Sequence, residues 1–246
     1  MILEITVNSV TSALLAQEGE ADRIELCDNF HEGGTTPGAG SIAKARELLH
    51  VGLFVMIRPR GGDFHYSDME VEIMQSDIQS AKELGVDGVV FGLLNPDGTV
   101  DRKRTAELVA LSRPLQVTFH RAFDMTPDPF AALEDVIDAG ADRILTSGQA
   151  PSALEGSAVI ASLVKQAGDR ISIMAGAGIN ESNILELCRL TQAAEFHASL
   201  RTRRKSGMLF QREGVFLGDP GISVHSFDIA APSRIARMKR ILSGHP

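Results

Sequence analysis

Eight short apolar stretches rich in β-branched residues recur along the whole chain, and this beat constrains the fold more than any other feature. They lie at 3–9 (LEITVNS), 22–28 (DRIELCD), 52–58 (GLFVMIR), 86–93 (VDGVVFGL), 115–121 (LQVTFHR), 142–147 (DRILTS), 171–176 (ISIMAG) and 193–199 (AAEFHAS). Between them run segments with apolar residues near i, i+3 and i+4, such as 68–84, 101–112, 128–139 and 181–190, which predict helices. Asp128-Pro129 and Asn180 are helix-start signals, and Gly85 and Gly140 close helices before the next strand. Eight strands alternating with eight helices in 246 residues predict a single-domain α/β chain, a (β/α)8 TIM barrel over 1–246.

Two details favour the barrel over an open sheet. Helix-to-strand connections are tight, as in LGVDG and DAGADR. Strand-to-helix connections are long, polar and Gly-rich, notably 29–40, 59–68 and the stretch from 200 to about 230, which reads as an extended loop before the last helix. Long loops on one face and tight turns on the other are how barrel enzymes carry their sites. The tetrapeptide ADRI opens both the second and the sixth strand, at Ala21–Ile24 and Ala141–Ile144, as two equivalent half-barrels would require.

The composition narrows the function. Hydrophobic residues make up 43% and charged residues 23%, so a sizeable core is available. A net charge of −8 argues against general nucleic-acid binding. The one dense basic run, Arg201-Thr202-Arg203-Arg204-Lys205, reads as a solvated loop or a small-anion site. Two cysteines far apart, Cys27 and Cys188, with no CxxC, are the usage of a reducing compartment. The N-terminus lacks the pattern of a signal peptide, and no run approaches the roughly 18 apolar residues of a membrane span, so the expected location is the cytoplasm.

Strand alternation assigns each side chain a face, and the helix-facing set must be apolar. That phase turns Glu4, Thr6 and Asn8 inward on the first strand, then Glu25 and Cys27, Met56 and Arg58, Thr118 and His120, Met174, and Glu195 and His197. Barrel interiors are normally filled by Val, Ile and Leu. Charged groups inside must pair or line a wet cavity. Each has a structural use on its own: Glu4 could bond the floor, Arg58 could neutralise Glu25, and the methionines and Cys188 read as packing. Their convergence predicts a site, with Glu25, His120, Glu195 and His197 as acid–base groups. Asn8, Arg58, Arg121, Asp124 and the Gly176/Gly178 turn are the candidates for binding an anionic substrate.

The motifs RIELC (23–27), GGTTPG (33–38), MIRPRGGDFHYSD (56–68), VVFGLL (89–94), TFHRAFD (118–124), RILTSG (143–148) and IMAGAGI (173–179) resemble the CutC family of copper homeostasis proteins, in order from residue 1 to about 200. The resemblance implies a TIM barrel, a cytoplasmic homodimer or higher homo-oligomer, and a link to copper, with Cu(I) bound through cysteine. Cys27, within RIELC, is the position that matches; Cys188 matches no motif. Met56, on the next strand, is a second soft ligand within geometric reach of Cys27. Two readings follow: a copper-handling protein with Cys27 and Met56 as metal ligands, or an enzyme performing acid–base chemistry on a small anionic metabolite. A divalent metal held by Glu and His is a variant of the second.

Overall fold

A computed structural model describes residues 1–210, 212, 215 and 225–244. The order of elements is β1 (Ile2–Val7), α1 (Val10–Glu18), β2 (Arg23–Leu26), α2 (Ala39–Leu48), β3 (Gly52–Met56), α3 (Asp68–Glu83), β4 (Gly88–Phe91), α4 (Arg102–Ser112), β5 (Gln116–Phe119), α5 (Pro129–Asp138), β6 (Arg143–Thr146), α6 (Ser157–Ala167), β7 (Ser172–Gly176), α7 (Ile184–Thr191), β8 (Glu195–Ala198), β9 (Arg201–Lys205), β10 (Ser226–Ala230) and α8 (Pro232–Leu242). Strands β1 to β8 pair in sequence, all parallel, and β8 closes on β1 through Ile2↔Glu195 and Glu4↔His197. The fold is a TIM barrel.

The helix-facing parity packs as the alternation predicts. Ile5, Ile24, Leu53, Val55, Val89, Val117, Phe119, Ile144 and Phe196 are fully buried between sheet and helices. Four helix starts, those of α1, α3, α4 and α5, carry side-chain caps for their orphaned N–H groups. Ser67 and Glu70 form a capping box on α3, and the Asp128 carboxylate accepts from Phe130 and Ala131 ahead of Pro129 at the start of α5.

An aspartate precedes each of β2, β4 and β6 and fixes the start of its neighbour. Asp22 accepts the Leu3 N–H at 2.7 Å, Asp87 that of Leu53 at 2.8 Å, and Asp142 that of Val117 at 2.7 Å. Each carboxylate also takes a cation from outside the sheet: Lys239, Arg46 and Arg113 respectively. The repeated ADRI is therefore one instance of a wider device, in which Asp pins the register at the N-terminal end of the barrel.

The segment expected as an extended loop, 200–230, is built differently at both ends. Leu200, with φ 40°, turns the chain out of the barrel, and β9 then pairs antiparallel with β10 from Arg201↔Ala230 to Lys205↔Ser226. Its charge run lies along a strand because Asp228 on β10 answers Arg203 at 3.2 Å and Arg201 at 3.8 Å. The middle of that segment lies outside the described residues. Among the described residues, no helix is long and apolar enough to cross a membrane.

Candidate functional site

Inward-facing polar residues form two layers, and alternation explains why. Residues two apart on one strand share a face but differ in height along the barrel axis. The lower layer lies at the N-terminal end. There Arg23 donates to Glu4 at 2.5 Å and to Glu195 at 2.6 Å, and Arg143 donates to Glu195 at 2.5 Å. Both guanidinium groups lie over the Phe54 ring, at 4.8 and 5.4 Å from its centroid. Ser172 donates to the other Glu195 oxygen. Burial works to raise the Glu195 pKa, but the two arginines outweigh it and hold it below the usual carboxylate value.

Glu4 connects this floor to the upper layer. Burial alone would raise its pKa; Arg23 and His197 together bring it down to about 2. Glu4 is thus an acceptor, and His197 Nδ1–H donates to it across 2.7 Å. That bond leaves His197 Nε2 facing Glu25, 3.9 Å from Oε2. Burial would lower the His197 pKa, but the Glu25 charge and the Glu4 bond raise it. Burial, with the Glu4 charge adding to it, pushes Glu25 above the ordinary carboxylate range. The second Glu25 oxygen, Oε1, is buried with no partner among the described residues.

Above this pair opens a cavity of about 370 Å³ at the C-terminal end of the strands. Glu25, Cys27, Met56, Arg58, His120, Arg121, Gly178 and His197 line it, so most of the sequence-predicted residues converge. Arg58 is buried and donates to the carbonyls of Glu32, Gly34 and Gly62, with its guanidinium 5.0 Å from the Phe64 ring centroid. It organises the two loops over the mouth rather than neutralising Glu25. Cys27 and Met56 sit side by side: a Cβ on Gly34 would lie 3.4 Å from the Cys27 sulfur and 3.5 Å from the Met56 methyl. Burial, reinforced by the Glu25 charge, pushes the Cys27 thiol far up.

Four predicted residues lie elsewhere. Glu195 is in the floor, paired opposite Ile2 and below His197. Asn8 is exposed, because β1 ends at Val7 and the alternation no longer carries it inward; it borders a separate surface hollow with Ser9, Thr11 and Arg204. Gly176 ends β7 under Leu145, where a Cβ would come within 2.5 Å of the leucine side chain. Asp124 turns from the cavity to tie two loops, accepting from Thr146 at 2.5 Å, from the Ser147 N–H and hydroxyl at 3.0 Å, and from Arg121 at 2.7 Å.

The CutC family matches residues 1–202. The chain belongs to the CutC family. It is 48% identical over 241 residues to the family protein CutC of Chromobacterium violaceum, covering 98% of both chains. It is 50% identical over 217 residues to the copper homeostasis protein cutC homolog of Homo sapiens, covering 88% of this chain and 80% of the human one. A crystal structure of CutC from Streptococcus agalactiae superposes with a TM-score of 0.77 at 35% identity, covering 80% of this chain and 97% of that one.

In this CutC-family barrel, sequence reasoning missed Arg23 and Arg143, although both stand in the repeated ADRI and share parity with Glu25 and Leu145. It also missed Phe30 and Phe64 as cavity walls; the 177–179 wall was read only through Gly178, and Arg201 only through the basic run. Those lie on loops or past strand ends, where alternation has no reach. The basic run was the one signal for Arg201, which stacks 4.6 Å over Phe30 at the mouth. Chemically, the layers supply a carboxylate–imidazole pair oriented from beneath and cationic groups around the opening. Glu4, Glu25 and His197 also offer ligand atoms within 4.8 Å of one another, close enough for one cation. The Glu4–His197 bond and the Arg23 grip on Glu4 make that carboxylate an orienting group in the arrangement present.

Proposed function

We propose that this CutC-family protein transforms a small anionic metabolite by proton transfer at the barrel mouth, with Glu25 and His197 as the acid–base pair. The observation that carries this reading is Glu25: a buried carboxyl with a raised pKa and one unpartnered oxygen, set against a histidine whose tautomer Glu4 fixes. A carboxyl whose charged form is disfavoured by burial, set against an imidazole, is the kind of group that general acid–base chemistry uses. Arg121 and Arg201, half-exposed at the rim, and Arg58 beside the Phe64 ring supply positive charge for the ligand's anionic end. The Gly178 turn adds backbone N–H groups on the same wall, as barrels commonly offer to phosphate or carboxylate. Glu195, Asp124 and Gly176 support this site without touching the ligand.

The test is a ligand-observed NMR screen of small anionic metabolites in D2O with a metal chelator present. Binding by wild type, with solvent deuterium entering the ligand and vanishing in Glu25→Gln and His197→Gln, is the expected result. Ligands that bind and exchange equally well with both variants would overturn the assignment.

A second reading rests on the adjacency of Cys27 and Met56, two soft donors of the type Cu(I) prefers, and on the copper homeostasis name of the human relative. Cu(I) is the cargo in this reading and must displace the Cys27 proton, so affinity rises with pH. An anaerobic Cu(I) competition titration of wild type and Cys27→Ser decides it: equal weak binding by both removes the soft-ligand site. Both cysteines are free thiols, in keeping with the cytoplasm as the working compartment.

A further inference from the structure

His120 stands on the cavity wall just past β5, and its side chain caps the short 3-10 turn at Arg121–Met125. The Ala122 N–H donates to its Nδ1 at 3.2 Å. A ring nitrogen that accepts carries no proton, so the neutral imidazole bears its proton on Nε2. Gly92 makes room for this pose, since a Cβ there would lie 2.6 Å from Nδ1. Phe64 packs against the ring at 5.0 Å and Phe119 at 6.3 Å. Burial, aided by the Arg58 charge, pushes the His120 pKa down to about 3, so no imidazolium forms near neutral pH. The acid–base role expected for His120 is closed to it there.

What remains is a buried Nε2–H with no hydrogen-bond partner among the described residues. Buried donors left without a partner are few in native folds, and each calls for one, a ligand or a reacting group among them. The cavity already has arginines for a permanent negative charge. A neutral donor adds something different: it suits an oxygen whose charge develops during reaction. A neutral imidazole held by a helical turn polarises carbonyl groups in this way in other barrel enzymes.

We propose that His120 Nε2–H binds the carbonyl oxygen of the substrate, which makes the substrate class a small carbonyl compound carrying an anionic group. This rests on the proton-transfer reading above. The Glu25 carboxylate takes a proton from the carbon beside the carbonyl. The C–H pair becomes a C=C bond, and the carbonyl π pair moves onto oxygen, where Nε2–H strengthens its hydrogen bond. Return of the proton to the same carbon completes an exchange with solvent. Where that carbon carries a hydroxyl, the intermediate is an enediolate. Delivery of the proton to the former carbonyl carbon, with the hydroxyl proton passing to the first oxygen as the second becomes C=O, then completes an isomerisation, with no outside oxidant or reductant.

The experiment uses phosphoglycolohydroxamate, a planar enediolate analogue, with inorganic phosphate as the matched anion lacking the enediolate end. Affinities are measured by calorimetry for wild type and for His120→Phe, which keeps ring shape and removes the donor, with circular dichroism confirming its fold. Imidazole 15N NMR on wild type provides an independent readout. The expected result is an Nε2–H tautomer whose proton moves downfield with the hydroxamate and not with phosphate. Wild type should prefer the hydroxamate by about tenfold or more, the worth of one charge-assisted bond, and His120→Phe should lose that preference while binding phosphate as before. Phosphate binding with no hydroxamate preference and an unmoved Nε2–H signal overturns the carbonyl assignment and leaves the anion reading standing. No binding of either probe by wild type overturns both.

Discussion

Arg23 and Arg143 grip a single carboxylate oxygen: Oε2 of Glu195 lies 2.6 Å from Nη2 of the first and 2.5 Å from Nε of the second. All three side chains are at most 10% exposed. Among the described residues, removing the carboxylate leaves Arg143 with only neutral partners, Thr118 and Gln116, and Arg23 with Glu4 as its carboxylate and the Met174 sulfur. Breaking a buried pair from one side typically costs about 3–5 kcal/mol. Glu195→Gln should therefore lower the unfolding free energy by a comparable amount, read as a fall in the urea midpoint. Glu25→Gln, which removes a buried carboxyl with an unpartnered oxygen, should leave the midpoint unchanged or raise it. The reverse ranking would mean that the floor is not where the barrel keeps its ionic stabilisation.

Asp124 is the second stability test. Its side chain is 6% exposed and accepts from Thr146, Ser147, Gln149 and Arg121, tying the turn after β5 to the loop after β6. An amide in its place presents N–H to neighbours that are themselves donors. Asp124→Asn should destabilise by about 2–3 kcal/mol, read as a fall in Tm. An unchanged Tm would show that the two loops hold together without it.

The pH dependence of stability follows from the signs of three shifts. Glu4 has a depressed value, so its contribution is present above the ordinary carboxylate pKa and lost as pH falls through about 2. His197 has a raised value, so its contribution is complete below the ordinary imidazole pKa of about 6.5 and lost as pH rises through the folded value. Glu25, also raised, acts in the same direction, its loss of stability setting in as pH rises above the ordinary carboxylate value of 4.5. Stability should decline as pH rises above about 6.5, and the decline should flatten in the Glu25→Gln/His197→Gln double variant. Parallel alkaline limbs for the two proteins in denaturant titrations from pH 6 to 9 would contradict the assignment.

Thiol chemistry gives a fourth expectation. Cys27 is 2% exposed and its pKa is strongly raised by burial, whereas Cys188 is half-buried on α7, 3.5 Å from the Met1 sulfur. A disulfide reagent acts on the thiolate. In native protein Cys188 should react first, and Cys27 should follow only at the rate of local opening. Equal rates for the two would show the RIELC cysteine to be open to solvent.

How much of this was legible in the sequence differs from residue to residue. Seven barrel strands fall within their sequence-read ranges and β1 begins one residue before its range, because apolar alternation is a direct imprint of burial on the helix-facing side. Parity also turned Glu25, Cys27, Arg58, His120 and His197 toward the interior, and the structure puts all five on one cavity. Height was not legible. Glu195 and His197 share a strand and a face, yet one is in the floor and the other at the mouth, a distinction set by the stagger of β8 against β1. Asn8 failed at a strand end, Phe64 lies on a connection with no periodicity, Arg201 opens a strand outside the barrel alternation, and β9 pairs with β10, whose Asp228 lies more than twenty residues from the run it answers. The arginines of ADRI were visible as a repeat, but their meaning required the partner on β8.

The floor has one more consequence, for traffic. Among the described residues, Arg23, Arg143, Glu4 and Glu195 close the N-terminal end with both guanidinium groups stacked on the Phe54 ring, while the cavity opens toward the loops that follow the strands. A vessel with one mouth imposes an order on its visitors. Whatever leaves must leave by the way the next molecule arrives, past Phe30, Phe64 and Arg201. Under the proton-transfer reading proposed above, turnover would be paced by vacating that lip as much as by the proton transfer itself.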